Sequence, residues 1–159
     1  MRSTSKGKGA VLKVLPVVFT AVLLITFSQA AGTDWKPYAK SMNKGMEYLY
    51  SPESLDSSSA GIVKVWTKII LLSQEKKDKH IQKRNATRLS TDGYENIKYS
   101  LYLMEFDCKN KMHSRLSYKD YDRDLSVLDS YDYNSPLWKP VVPESSAEQL
   151  YKIVCPVNK

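Results

Sequence analysis

The chain has 159 residues with a formal net charge of +7, is 42% hydrophobic, and carries eleven tyrosines and two cysteines. That length suits one domain and crowds two. The charge argues against a nucleic-acid partner, because its excess sits at one end: four of the 24 Lys/Arg and none of the 17 Asp/Glu precede residue 31, leaving 20 against 17, a balance of +3.

Arg2, Lys6, Lys8 and Lys13 form a basic start, Val14 to Phe27 run without a charge, and Ser28-Gln29-Ala30 leads to a cleavage position. The apolar run is shorter than the ~20 residues a membrane-spanning helix requires. Residues 1–30 therefore read as a secretory signal peptide, cleaved after Ala30 or Ala31, and 31–159 as the mature domain. An uncleaved anchor is the alternative. With no cysteine between residues 20 and 35, no lipid anchor is expected. The protein should be exported to the periplasm, the cell surface or the medium, with no integral membrane segment after cleavage.

Trp35 opens the mature chain, and a polar stretch leads to Gly45. Met46–Tyr50 predicts a short strand ended by Pro52, and Ser57-Ser58-Ser59-Ala60-Gly61 predicts a loop. Ile62–Leu72 is the clearest strand: Val63, Val65, Thr67, Ile69 and Leu71 share one face, and Ile62, Lys64, Trp66, Lys68 and Ile70 the other. Ser73–Arg88 is dense in charge and reads as a solvated helix or excursion, with helix preferred. Thr91-Asp92-Gly93 is a turn. Lys98–Cys108 is apolar on both faces, the mark of a central strand. Lys111–Tyr121 and Leu125–Tyr133 flank Asp122-Arg123-Asp124 as a hairpin, and an extended piece runs from Trp138 to Pro143. Ser145 and Glu148 form a capping box for a helix whose stripe is Ala147, Leu150, Tyr151 and Val154, ended by Cys155 and Pro156.

Little in this chain suggests catalysis. His80 and His113 lack ligand partners at metal spacing and read as surface residues, so no metal or cofactor is expected. Asp120, Asp122 and Asp124 imitate a calcium loop without its glycine or its final glutamate, and a turn is preferred. No hydrolase, metalloprotease or phosphate-cradling motif is present, and the chain reads as a non-enzyme. The basic stretch Lys76, Lys77, Lys79, Lys83 and Arg84 is the strongest binding candidate, suited to an acidic protein surface, an anionic polysaccharide or lipid head groups. Its plainer reading is a solvated helix face. Asn85-Ala86-Thr87 matches a glycosylation sequon that arises readily by chance. Trp35, Trp66 and Trp138 read first as core anchors. Cys108 and Cys155, an even pair in an exported chain, read as a structural disulfide, against two free thiols or a redox pair.

An ordered set of segments carries a resemblance. Trp35 is followed by Tyr-Leu-Tyr-Ser-Pro-Glu-Ser-Leu (48–55), Val-Lys-Val-Trp-Thr-Lys (63–68) and Tyr94-Glu95-Asn96. Ser-Leu-Tyr-Leu-Met-Glu-Phe-Asp-Cys (100–108), Ser130-Tyr131, Pro136-Leu137-Trp138 and Val-Pro-Glu-Ser-Ser-Ala-Glu-Gln-Leu-Tyr (142–151) follow, with Cys155 soon after. Over nearly all of the mature domain this resembles the surface-adhesin protein E family. The resemblance implies an α+β fold, a mainly antiparallel sheet of about six strands carrying a C-terminal helix, and a Cys108–Cys155 disulfide. It also implies binding of protein or extracellular-matrix ligands. The resemblance fixes no binding positions; from the residues themselves, Lys76, Lys77, Lys79, Lys83 and Arg84, together with the sheet face bearing Trp66, are expected to form the contact surface. A periplasmic binding or assembly factor, or a small lipid carrier, is the alternative.

Overall fold

The computed structural model describes residues 34–40, 45–59 and 61–155, so the signal-peptide reading of 1–30 lies outside the described residues. The elements run β1 (Lys36–Lys40), β2 (Met46–Tyr50), β3 (Asp56–Ser59), β4 (Ile62–Leu71), α1 (Gln74–Ala86), β5 (Ile97–Asp107), β6 (Met112–Asp122), β7 (Val127–Asp132), β8 (Lys139–Pro140) and α2 (Ser146–Val154). All pairings are antiparallel, in the order β1-β2-β4-β5-β6-β7. Two short strands extend this six-strand path: β3 continues along β4 past β2, and β8 along β6 past β7. The architecture is α+β, as the sequence indicates.

Two expectations change. The polar stretch between Trp35 and Gly45 holds β1, which pairs with β2. The serine-rich stretch is an edge strand rather than a loop, with Asp56 opposite Lys64 and Ser59 opposite Ile62. Composition hides both because edge strands need ladder partners more than apolar side chains. Between β2 and β3 a 3₁₀ turn at Pro52–Ser54 interrupts the edge. Trp66 N–H donates to Ser54 Oγ at 2.9 Å and Ser51 N–H to the Trp66 carbonyl at 3.0 Å, so the break costs β4 no hydrogen bond there.

Both helices pack on one face of the sheet. Along β4 this inner face carries Val63, Val65, Thr67, Ile69 and Leu71, matched across β5 by Phe106, Met104, Tyr102 and Ser100. Register shifts at Lys98, Leu116 and Leu128 break the alternation. They bring Ile97 and Leu128 into one inner cluster with Leu71 and Tyr94, and set Arg115 on the same face as Tyr118.

Helix α2 covers the opposite end. Leu150 and Val154 pack with Val63, Val65 and Phe106, and the Cys108–Cys155 disulfide (Cα–Cα 5.4 Å) ties its C-terminus to the end of β5. Tyr151 Oη donates to the Cys108 carbonyl at 2.8 Å. The N-terminal cap forms with one change. Ser145 Oγ accepts from Glu148 N–H, but Glu148 returns its carboxylate to the N–H of Glu144, because Ser145 N–H already donates to the Val142 carbonyl.

Helix α1 is held differently. Its inward stripe is Lys77, Ile81 and Arg84, so only Ile81 contributes an apolar contact, to the cluster of Leu71, Tyr94 and Ile97. Arg84 supplies the rest. It stacks on Tyr94 at 4.1 Å, donates from Nε to the Ser90 carbonyl and from Nη2 to Asp129 Oδ2 at 2.7 Å, and lies 3.5 Å from Asp120 Oδ2. Tyr94 Oη donates to Asp120 at 2.8 Å and Tyr118 Oη to Asp129 at 2.7 Å. Burial alone would raise both carboxyls. His80, Ser100 and Tyr94 hold Asp120 below the ordinary aspartate range, and Tyr118 and Arg84 do the same for Asp129.

Removing the disulfide with the Cys108→Ser, Cys155→Ser pair should lower stability by about 4 kcal/mol, the chain-entropy value for closing a loop of this length. Urea unfolding of the oxidised wild type against the variant measures it. Arg84→Met should cost about 3 kcal/mol at pH 7, since it strands buried charge. Both aspartates titrate lower in the folded chain than in the unfolded one. Their contribution is therefore present above about pH 4 and lost as pH falls through the folded values. The gap between wild type and Arg84→Met should shrink between pH 7 and pH 3, and a constant gap would dismiss the ion network as the anchor of α1.

Candidate functional site

Between the two helices the inner face stays open, and tyrosines line it. Tyr48 and Tyr50 pair across to Ile69 and Thr67, and Tyr102, Tyr118 and Tyr131 sit in line on β5, β6 and β7. Tyr38 meets Tyr48 edge-on at 5.9 Å, and burial with Tyr48 and Tyr102 alongside pushes its phenol well up. Here lies the use of so many tyrosines: a sheet surface half covered by protein needs rings with a polar tip.

The open face deepens into a two-lobed cleft beside α1. One lobe is bounded by His80, Lys83, Arg84, Thr87, Leu89, Tyr102, Tyr118 and Asp120, and the other by Met104, His113, Ser114, Ser135, Leu137 and Lys139. Each has a volume of 290 Å³, and both are lined by Lys83, Arg115 and Tyr133. Arg115 lies over the Tyr102 ring at 4.1 Å, which fixes its guanidinium plane against the floor. Tyr133 is placed by its N–H, which donates to the Leu116 carbonyl at 2.8 Å, and by edge-on contact with Tyr131.

The electrostatics of the cleft follow from pairing. Asp120 lines it, and Asp129 stands beside it, but both carboxylates are engaged by Arg84 and by phenols. Burial and the bond to Asp129 push the Tyr118 phenol up to about 12. Burial first, then Lys139 and Arg115, hold His113 below the usual imidazole range, so it is uncharged at neutral pH. Among the described residues Lys83, Arg115 and Lys139 enter no ion pair. No group of three or more His, Cys, Asp or Glu is arranged there to hold a metal.

The structure separates the basic stretch that the sequence singles out. Lys83 faces the cleft. Arg84 is buried in the ion network, and Lys77 is buried on the inward side of α1. Lys79 pairs with Glu75 at 2.6 Å, and Lys76 packs its stem against Gly45, where a Cβ would approach within 2.9 Å. Trp66 lies on the outer face, in the row of β4 opposite to the one that meets the helices, so it and α1 do not share a surface. There Lys68 sits 4.2 Å from the Trp35 ring and 5.0 Å from Tyr99, which stacks on Tyr121.

Other readings are corrected. Trp35, Trp66 and Trp138 belong to neither core cluster, because Phe106, Tyr94 and aliphatic residues fill them. His80 is no surface histidine: it stacks on Tyr94 with ring centroids 5.7 Å apart, and its Nε2 lies 3.5 Å from Asp120. Asp122 accepts from the N–H groups of Asp124 and Ser126 and so shapes the β6–β7 turn, while Asp120 points inward to Tyr94. Arg115, Lys139 and Tyr133 were not singled out by sequence, and His113, read there as a surface residue, is half-buried in the cleft lining. Arg115 would have been visible only to a reader who knew that the ladder shifts at Leu116, which returns it to the inner face.

The family model for surface-adhesin protein E matches residues 35–156. A search among curated proteins found no match. Solved structures of Haemophilus influenzae protein E are similar to this chain. One crystal form shares 13% identity over 79% of this chain and 93% of its own, with a TM-score of 0.48. A second shares 13% over 78% and 85%, with a TM-score of 0.49, and a selenomethionine form 14% over 79% and 92%, with a TM-score of 0.47. With the family model spanning most of the chain, the chain belongs to the surface-adhesin protein E family.

Proposed function

We propose that this protein is an exported, non-enzymatic binding domain that contacts proteins or matrix outside the cytoplasm through the cleft beside α1. One observation carries the reading: three cations, Lys83, Arg115 and Lys139, converge on a tyrosine-lined cleft whose nearby acids, Asp120 and Asp129, are engaged by Arg84 and by phenols, leaving cations in excess. Family membership supports adhesion as the class of activity. The disulfide supports an oxidising compartment. Among the described residues no helix is long and apolar enough to cross a membrane.

Of the basic stretch on α1, Lys83 supplies the contact, and Lys76, Lys77, Lys79 and Arg84 hold the helix and its surroundings. The contact surface thus moves from the helix's solvent side to the groove beneath it. No observation favours a lipid carrier, since the space between α2 and the sheet is filled by Val63, Val65, Phe106, Leu150 and Val154.

Export is tested by intact mass and by trypsin shaving of living cells. The expected product starts at Ala31, keeps its disulfide, and is digested on intact cells. A full-length product with both thiols reduced would refute export. The cleft is tested by capture of the purified chain on decellularised matrix. Lys83→Ser with Arg115→Ser should reduce capture about tenfold or more, as loss of charge-assisted contacts implies. Unchanged capture would remove the cleft from consideration.

A further inference from the structure

The polar groups that the cleft offers are mainly donors. An ammonium and a guanidinium can donate but never accept, and a phenol adds a hydroxyl that does either. The cations are free to act, because the nearby carboxylates pair with Arg84 and with phenols and not with them, and three cations outnumber the one negative charge left over. Between the charges lies the aromatic side chain of Tyr133, beside the Tyr102 ring that Arg115 covers, and at the two ends the aliphatic Leu89 and Leu137. A ligand matching this lining needs anionic groups spaced along a chain, hydroxyls between them, and weakly apolar flat sides.

Resting on the reading of this cleft as the contact surface, we propose that it takes an acidic oligosaccharide, a short run of sugars bearing carboxylates or sulfates. Lys83, Arg115 and Lys139 meet the anions, and Tyr133 lies against a sugar face. The two lobes, 290 Å³ each, together reach the size of an ordinary ligand site, about 300–1,000 Å³, and exceed what a single small anion needs. An acidic peptide fits less well. The floor is the face of β5 and β6, and β5 spends its backbone groups on β4 and β6 on either side. A peptide that docks by adding a strand needs an open sheet edge, which this floor is not.

The test is calorimetric titration of the mature, disulfide-bonded chain at 0.15 M salt with four probes. They are a heparin tetrasaccharide, a hyaluronan tetrasaccharide carrying carboxylates without sulfates, neutral maltotetraose, and tetraglutamate. The two acidic saccharides should bind, maltotetraose should not, and tetraglutamate should be at least tenfold weaker than hyaluronan. Lys83→Ser, Arg115→Ser and Lys139→Ser should each weaken saccharide binding by about tenfold. Single controls of equal charge, Lys98→Ser, Lys109→Ser or Lys119→Ser outside the cleft, should leave it unchanged. Tetraglutamate binding as well as hyaluronan would overturn the proposal in favour of an acidic peptide. Equal losses in the controls would reduce it to general charge attraction. If neither saccharide binds while Lys83→Ser with Arg115→Ser still loses matrix capture, the saccharide proposal fails and the cleft reading stands.

Discussion

Arg84 lets a helix with almost no apolar face remain on the sheet. Of the inward positions of α1 only Ile81 brings hydrocarbon to the cluster of Leu71, Tyr94 and Ile97, which is too little to dock thirteen residues. The guanidinium compensates by serving several partners from one rigid plane: the Tyr94 ring, the Ser90 carbonyl, and the carboxylates of Asp129 and Asp120. A lysine could not serve all of them from one point charge. Because Tyr94 and Tyr118 in turn donate to those carboxylates, the network links the helix to β6, β7 and the turn before β5. Without it there would be no wall on that side of the cleft.

The other helix, which does not border the cleft, is held by different means. Helix α2 has an ordinary apolar stripe, a serine cap and a covalent link from its last turn to the end of β5. The fold thus uses apolar packing and a disulfide at one end of the inner face and a buried ion network at the other. What lies between cannot be closed by either helix, and tyrosines cover it. Their cover is uneven: burial pushes the Tyr38 phenol well up, whereas Tyr131 stays 54% exposed.

Much of this fold is legible in the sequence, and the illegible parts share a cause. Strands β4 and β5 show their faces by strict alternation, and α2 by its cap and stripe, since in each the local pattern and the packing agree. Strands β1 and β3 are edges whose polar composition carries no alternation to read. On α1 the inward residues Lys77 and Arg84 are charged, so a residue count reports a solvated face where the helix is anchored. The cleft is harder still to see. Its residues come from α1, β5, β6 and the segment after β7, and Arg115 reaches it only because one ladder shift reverses the alternation of β6. Such shifts leave no mark in composition, yet they decide which face a charge occupies.

A net balance of +3 for the residues after position 30 seems too slight to guide an acidic ligand, but the sum conceals the arrangement. Ion pairing engages acids elsewhere: Glu75 with Lys79, Glu148 with Lys152, and both Asp120 and Asp129 with Arg84, four acids against three bases. The cations left over at Lys83, Arg115 and Lys139 then surround one concave surface, backed by low-dielectric aromatic walls that concentrate their field. Local potential depends on which charges stay unpaired and where, and Arg84 controls both. By occupying the two aspartates it holds α1 in place and leaves the cleft it borders positive, so the contact that stabilises the fold also sets the sign of the site.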